Sequence, residues 1–270
     1  MKFDSNRGWQ DTVANVAANR EVLFALAGVF LVLPSFAFAL FYPQPNAPAG
    51  MTAAQAAQIM QTYYVQAMPA LMPVFMLQIL GMMAMIILMT DRARPTVGQA
   101  ICAGARNVLP FIVVQLLIGM GMVLAAITVL VIATLVNNAV VVGMAYGLII
   151  TMLVYVGVRT LLAAPVIAAE GVRNPLKALS RSWALTGASA GRIAAFLILL
   201  ALAMIVVAIL VMGVTGLILA LIAGGDTARL IAALVSSVVV AVMMIYFVAA
   251  VVAIHRQLAS PATDSLRTSN

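Results

Sequence analysis

Residues 111–158 decide the fold of this chain, and they read FIVVQLLIGMGMVLAAITVLVIATLVNNAVVVGMAYGLIITMLVYVGV. The stretch contains no charged side chain, and about 20 helical residues suffice to cross the hydrocarbon layer of a membrane. Asn137 and Asn138 interrupt the apolar residues near the middle. The pattern therefore predicts two antiparallel membrane spans, Val108–Val136 and Ala139–Ala169, joined by a tight turn.

The rest of the chain is as apolar as this stretch. Hydrophobic residues make up 65% of its 270 residues and charged residues 8%, whereas charged residues make up roughly 25% of a soluble protein. Four further segments are long and apolar enough to span a membrane, namely 22–42, 67–89, 193–223 and 230–254. We therefore predict an all-α membrane protein with six transmembrane helices, surrounded mostly by lipid.

The positions of the basic residues predict the orientation. They lie before span one, between spans two and three, between spans four and five, and after span six, whereas the other three connections contain only Arg229. Because basic loops stay in the cytoplasm, we expect both termini to be cytoplasmic. No dense basic run occurs, so we expect anionic phospholipid of the cytoplasmic leaflet as a partner, and no nucleic acid. The basic residues concerned are Lys2, Arg7, Arg20, Arg92, Arg94, Arg106, Arg173, Lys177, Arg181, Arg192, Arg256 and Arg267.

Span one has a second interpretation, as a cleaved signal peptide. Ala37-Phe38-Ala39 resembles a signal-peptidase site that follows an apolar run. The polar region before the run is long, however, and contains the acidic residues Asp4, Asp11 and Glu21. These features favour a first span that is retained.

Three arginines suggest an internal repeat. Arg20, Arg106 and Arg192 are separated by 86 residues each time, and each lies at the start of an odd-numbered span. This spacing predicts three units of about 4–90, 94–170 and 174–256, followed by a flexible tail, 257–270. The alternative is three ordinary loops with arginines at a chance spacing.

A short amphipathic segment precedes each of these arginines. In the first segment Trp9, Val13, Val16 and Ala17 share a face, in the second Val97, Ile101 and Ala105, and in the third Leu176, Leu179 and Trp183. Pro95 and Pro175 are placed for a first helical position, and Asn174 for an N-cap. We predict three interfacial helices, with Trp9 and Trp183 as anchors in the headgroup layer.

The third segment also carries a family resemblance. The residues concerned are Pro165-Val166-Ile167-Ala168-Ala169-Glu170-Gly171, Asn174-Pro175-Leu176-Lys177-Ala178-Leu179, Ser182-Trp183 and Leu185-Thr186-Gly187. Together they resemble the membrane domain attached to some bacterial glycerophosphoryl diester phosphodiesterases, and related stand-alone inner-membrane proteins. The resemblance implies the bacterial cytoplasmic membrane and a link to glycerophospholipids. It implies no phosphodiesterase activity, because in that family a separate soluble domain performs catalysis.

The residues favour no enzyme, no cofactor and no metal site. The connection 43–66 has no charged residue, and the chain contains no HExxH, GxSxG or P-loop pattern. Met68, Met72 and Met76 recur at a spacing compatible with Cu(I), but methionine more often fills irregular packing. His255 and Cys102 stand alone in the sequence.

Arg159 is the one charged residue that the sequence places clearly inside a span. It is either a counter-ion for an anionic headgroup, or a structural residue that snorkels or bonds carbonyls freed by Pro165. Glu170 is expected to pair with Arg173 or Arg181. The candidate site for lipid or an anion comprises Arg159, Glu170, Arg173, Lys177, Arg181 and Trp183.

Function is predicted only broadly. We expect a non-catalytic inner-membrane protein that binds or organises lipid, or an envelope assembly. A transporter or channel for a small solute or lipid is the alternative, and a scaffold subunit is a third possibility. The shortage of charge inside the spans argues against an ion path.

Overall fold

A computed structural model of the chain describes residues 3–45, 50–90, 95–136, 138–222 and 224–259. This part of the chain is helical and contains no strand. Ten α-helices are joined by short connections, one of them a π-helical turn (Gly28–Val32) and one a 3-10 turn (Gly187–Ser189). The helices are α1 (Ser5–Ala18), α2 (Arg20–Ala27), α3 (Leu33–Phe41), α4 (Ala53–Thr90), α5 (Val97–Leu135), α6 (Ala139–Thr160), α7 (Ala163–Ala169), α8 (Pro175–Thr186), α9 (Ala190–Ile222) and α10 (Gly225–Ala259).

Six helical segments are long and apolar enough to cross a membrane, which confirms the predicted multi-pass architecture. Span one comprises α2, the π-helical turn and α3, span four comprises α6 and α7, and the other spans are α4, α5, α9 and α10. Two helices begin more than ten residues earlier than predicted: α4 at Ala53 and α5 at Val97. The residues added to α4 carry no charge, and Thr96 caps α5 through a capping box with Gln99.

α10 is the centre of the molecule. In its most apolar window 56% of the residues are buried inside the protein, against 6% for α5 and 6% for the α6–α7 segment. The buried stretch Val248–Ile254 of α10 packs against neighbours on every side. Spans three and four therefore face lipid over most of their surface, whereas the second half of span six is enclosed by protein.

Contacts identify the two ends of the bundle. At one end, the helix side, α1 and α8 meet the end of α10, where Arg256 Nη1 donates to Asn15 Oδ1 at 2.8 Å. At the other end, the turn side, the Tyr63 hydroxyl of α4 donates to the Tyr42 carbonyl at 2.8 Å. Antiparallel alternation of the spans places the connections after α5 and α9 on the turn side as well.

Span one is irregular near its middle. The π-helical turn Gly28–Val32 is followed directly by Pro34 at the start of α3. Gly81 of α4 lies against this turn, and a Cβ there would come within 2.5 Å of the Phe30 Cβ. The glycine therefore permits close approach of spans one and two where span one departs from α-helical geometry.

The amphipathic segments bury mainly small side chains and only part of their apolar faces. Gly8, Thr12 and Val16 are the buried residues of α1, and Ala178, Ser182 and Thr186 those of α8. Trp9 and Val13 on the predicted apolar face of α1 stay exposed at 45% and 40%. The small side chains bring α1 and α8 close to the bundle and leave the apolar faces for lipid.

The second amphipathic segment differs from the prediction of a separate helix. Residues 97–106 form the first turns of the continuous helix α5, and Pro95 precedes the Thr96 cap instead of occupying the first helical position. Ala100 and Gly104 of this segment are buried. All three segments share the small-residue stripe, while a threefold repeat stays a prediction.

Two predicted boundaries need correction. Span four is interrupted at Leu161 and Leu162, because Pro165 cannot donate a backbone hydrogen bond. Residues 257–259 belong to α10 and not to a flexible tail, and Gln257 Oε1 accepts from the Asp4 backbone at 3.3 Å. Lys2, Arg92, Arg94, Asn137, Arg267 and the tail 260–270 lie outside the described residues.

Candidate functional site

Arg159 lies at the helix side, one residue before the end of α6. Its guanidinium carbon is 4.5 Å from the ring centroid of Trp183 on α8 and 5.8 Å from that of Tyr155 on α6. The two rings meet edge to face at 6.0 Å. Two of the predicted site residues, Arg159 and Trp183, are thus brought together, with the cation held against two aromatic rings.

The charge of Arg159 has no acidic partner within the described residues. The ion pairs there join Arg7 to Asp11, Arg229 to Asp226 and Glu170 to Arg181, and Glu170 also contacts His255. The Nε of Arg159 is buried and has no hydrogen-bond acceptor among the same residues. The charge of the guanidinium is therefore not neutralised by a described acidic residue, and its buried Nε is a donor without an acceptor.

The backbone of Arg159 is held separately from its side chain. The Ser182 hydroxyl donates to the Arg159 carbonyl at 2.7 Å, and the Thr186 hydroxyl contacts the same carbonyl at 3.4 Å. The break before α7 frees this carbonyl from its place in the helix. The sequence suggested that the Arg159 side chain could bond the freed carbonyls. In the structure, hydroxyls of α8 bond the freed carbonyl of Arg159 instead.

Gly187 allows the guanidinium to lie where it does. A Cβ at Gly187 would be 3.0 Å from Nη1 of Arg159. This glycine follows α8 at the start of the 3-10 turn. Arg159 is consequently confined between the α8 indole and the turn that connects α8 to α9.

An apolar crevice of about 280 Å³ adjoins the same indole ring. It lies between α5, α6 and α8, and Trp183 and Leu179 form its edge on α8. Gly121 lines the crevice and leaves space in it, since a Cβ at this position would have no neighbour within 4 Å. The remaining lining residues are Leu117, Ile118, Met122, Met152, Val156 and Thr160. The same tryptophan thus contacts a cation and borders an apolar crevice.

Glu170 forms a second cluster on the helix side. Its Oε2 accepts from Arg181 Nε at 3.1 Å, and its Oε1 lies 3.0 Å from His255 Nε2. The Glu170 side chain is 24% exposed and that of His255 only 6%. The predicted pairing with Arg181 is confirmed, and Arg173 makes no ion pair within the described residues.

His255 is the site residue that the sequence did not reveal. It is 85 residues from Glu170 and lies on a different span. One signal in the sequence could have indicated this contact. His255, the single histidine of the chain, and Glu170 lie at the same end of the bundle, on spans six and four. The cluster joins α7, α8 and α10 and acts as a structural connection.

Arg256 connects α1 to two spans at the same end. Its Nη1 donates to Asn15 of α1, and its Nη2 donates to the Met89 carbonyl at the end of α4. Gln257 Nε2 reaches Asp11 at 3.5 Å. These contacts fasten the first amphipathic helix to the ends of spans two and six.

The other predicted residues are not gathered into one site. Arg173 and Lys177 are exposed on the connection to α8 and on its first turn, and Arg20, Arg106 and Arg192 are exposed near the starts of their spans. Trp9 edges a separate apolar niche of about 180 Å³ between α9 and α10. Met68, Met72 and Met76 are exposed on α4. No three His, Cys, Asp or Glu side chains gather as a metal site in the part of the chain that the structure describes.

Comparisons with family models, with curated proteins and with solved structures give no match for this chain.

Proposed function

We propose that this multi-pass membrane protein is a non-catalytic inner-membrane protein that binds and organises anionic phospholipid of the cytoplasmic leaflet at Arg159. The observation that supports this function best is the unpaired guanidinium beside Trp183, next to an apolar crevice. A phospholipid carries both a phosphate for the cation and acyl chains for the crevice. The two features lie within reach of one amphiphile because a single indole borders both.

The distribution of charge supports the same proposal. Lys177 and Arg192 lie exposed on the side of the bundle that carries Arg159, and each basic group near an anionic leaflet adds about 1 kcal/mol of attraction. With both termini in the cytoplasm, that side faces the anionic leaflet of a bacterial inner membrane. The resemblance to membrane domains of glycerophosphoryl diester phosphodiesterases points to the same class of ligand.

Native mass spectrometry of the purified protein, titrated with phosphatidylglycerol, tests the site. Arg159→Ala removes the cation, and we expect its Kd to rise about tenfold, the equivalent of one charge-assisted contact. Arg159→Lys keeps the charge without the planar group that stacks on the indole. Its Kd should therefore lie between that of the wild type and that of Arg159→Ala. Arg229→Ala removes an exposed cation at the opposite, turn-side end of the bundle and should leave the Kd unchanged.

Filling the crevice is a second arm of the same experiment. Gly121→Leu places a larger side chain where the structure leaves open space, and it should weaken phosphatidylglycerol binding with Arg159 intact. Gly119→Leu is the matched control, since Gly119 also has open space around it and does not line the crevice. The proposal would be refuted if the Arg159→Ala variant and the Gly121→Leu variant each bound phosphatidylglycerol as tightly as the wild type.

A further inference from the structure

A second and larger crevice opens on the turn side, between spans one and six. Its volume is about 810 Å³, and its walls come mainly from α3 and α10. It does not include Arg159 or Trp183 and lies at the opposite end of the bundle from them. The turn-side crevice is therefore independent of the proposed lipid site.

The sequence of α10 explains why the crevice is open. Ala232, Ala233, Ser236 and Ser237 lie on the helix face that lines it, and such short side chains do not reach across to α3. The lining includes residues from Arg229 to Val240. Eleven helical residues extend about 16 Å, or roughly half of a hydrocarbon layer of about 30 Å. The crevice thus reaches from the membrane surface toward its middle.

Two serine hydroxyls in the crevice have no acceptor among the described residues, as is also true of the buried Thr90 hydroxyl of α4. The hydroxyls of Thr128, Thr151 and Ser237 donate to carbonyls of their own helices. Ser35 accepts from Gln78 Nε2 at 3.1 Å and donates to no described residue, and Ser236 donates to none either. A hydroxyl donor left without an acceptor in a membrane costs free energy unless water or a ligand accepts from it.

The lining carries aromatic rings and almost no net charge. Phe38 and Tyr42 stack at 5.4 Å with their planes 10° apart, and the Tyr63 hydroxyl holds the Tyr42 carbonyl. Arg229 is the charged residue of the lining, and Asp226 lies 3.4 Å from it. Rings of this kind pack against C–H surfaces, while the paired arginine leaves little attraction for an anion.

We propose that this crevice is a water-filled vestibule that binds a small neutral hydroxylated solute, a polyol or sugar. The free hydroxyls of Ser35 and Ser236 donate to oxygen atoms of the solute. The rings of Phe38 and Tyr42 cover its C–H surface. A lipid chain in the crevice would leave both hydroxyls without an acceptor.

Cysteine labelling tests whether water fills the crevice. In a Cys102→Ser background, which removes the native thiol, Ser236→Cys should react with a charged maleimide present on both sides of proteoliposomes. Val238→Cys, on the part of α10 outside the crevice and 44% exposed there, should face lipid and stay unreactive. Thr227→Cys, exposed at the turn side, should react whatever fills the crevice. If Ser236→Cys proves as unreactive toward the maleimide as Val238→Cys, the proposal is overturned.

Protection by solutes tests the class of ligand. Glycerol, sorbitol, glucose and maltose are the probes, with inorganic phosphate as the anionic comparison. A solute present at twice its Kd should slow the labelling of Ser236→Cys about threefold, without slowing that of Thr227→Cys. Protection by phosphate alone, or by none of the probes, would refute the assignment to a neutral hydroxylated solute.

Discussion

Glu170 and His255 show how one residue can connect distant parts of a membrane protein. The carboxylate accepts from Arg181 and contacts His255, whose side chain is nearly buried at 6% exposure. A buried imidazole needs a partner for its ring nitrogen, since an unsatisfied polar group in the protein interior costs about 1–3 kcal/mol. Glu170 supplies that partner from a residue that is itself within reach of water.

Removal of the carboxylate charge is therefore expected to destabilise the helix side. For Glu170→Ala we expect a loss of about 1–3 kcal/mol, because His255 and Arg181 both lose their acceptor. Thermal unfolding in detergent measures the effect, with Lys177→Ala as the exposed control on the same segment. The interpretation fails if the two variants unfold at the same temperature.

A double-mutant cycle separates this contact from packing at His255. His255→Ala alone also removes buried volume, so its own effect does not isolate the hydrogen bond. We expect the double variant of Glu170 and His255 to be more stable than the sum of the single losses implies. Strict additivity would mean that the 3.0 Å contact contributes nothing measurable.

At the scale of elements, small residues decide which helices touch. Gly104 of α5 lies against α4, where its added Cβ would be 3.1 Å from the Ala84 backbone nitrogen and 3.4 Å from the Leu80 carbonyl oxygen. Backbone atoms cannot move aside as the end of a flexible side chain can. The close approach of span three to span two at this point therefore requires a glycine.

Gly104→Leu should force these two helices apart. Overpacking of a well-packed contact costs about 1–3 kcal/mol, and a lower unfolding temperature in detergent would report it. Gly119→Leu, on the same helix with open space around it, should unfold like the wild type. A smaller effect at Gly104 than at Gly119 would contradict the contact.

Sequence reasoning was most successful for elements with local signals. The Asn174 side chain accepts from the backbone of Leu176 and Lys177, and Pro175 follows at the first position of α8, as the sequence predicts. The start of α5 was misplaced because both Pro95 and Thr96 suit a helix start, and only the capping box with Gln99 distinguishes them. Pro165 led us to expect freed carbonyls in span four, but not a division of the span at Leu161, four residues before this proline.

At the scale of the whole molecule, the bundle is packed unevenly. The second half of α10 is enclosed by protein, whereas α5 and α6 meet protein mainly along one side. Both crevices occur where the packing is incomplete: one beside α5 and α6, the other between α3 and α10. A uniformly packed six-helix bundle would leave room for neither ligand.

The orientation of the whole molecule is testable with single thiols. Cys102 is exposed near the start of α5, toward the helix side, and Thr227 is exposed at the turn side. With both termini in the cytoplasm, an impermeant maleimide added outside intact cells should spare Cys102 and label Thr227→Cys in the Cys102→Ser background. Labelling of native Cys102 from outside would show the opposite orientation.

The sequence by itself determined the solvent and the architecture of this protein. Hydropathy, charge positions and caps are properties of neighbouring residues, so six spans and the start of α8 can be read along the chain. Only the tertiary structure decided that Arg159 meets Trp183, that Glu170 meets His255, and that spans one and six leave a crevice between them. The physical reason is that apolar side chains suit lipid and protein equally well, so hydropathy does not mark which helix faces touch.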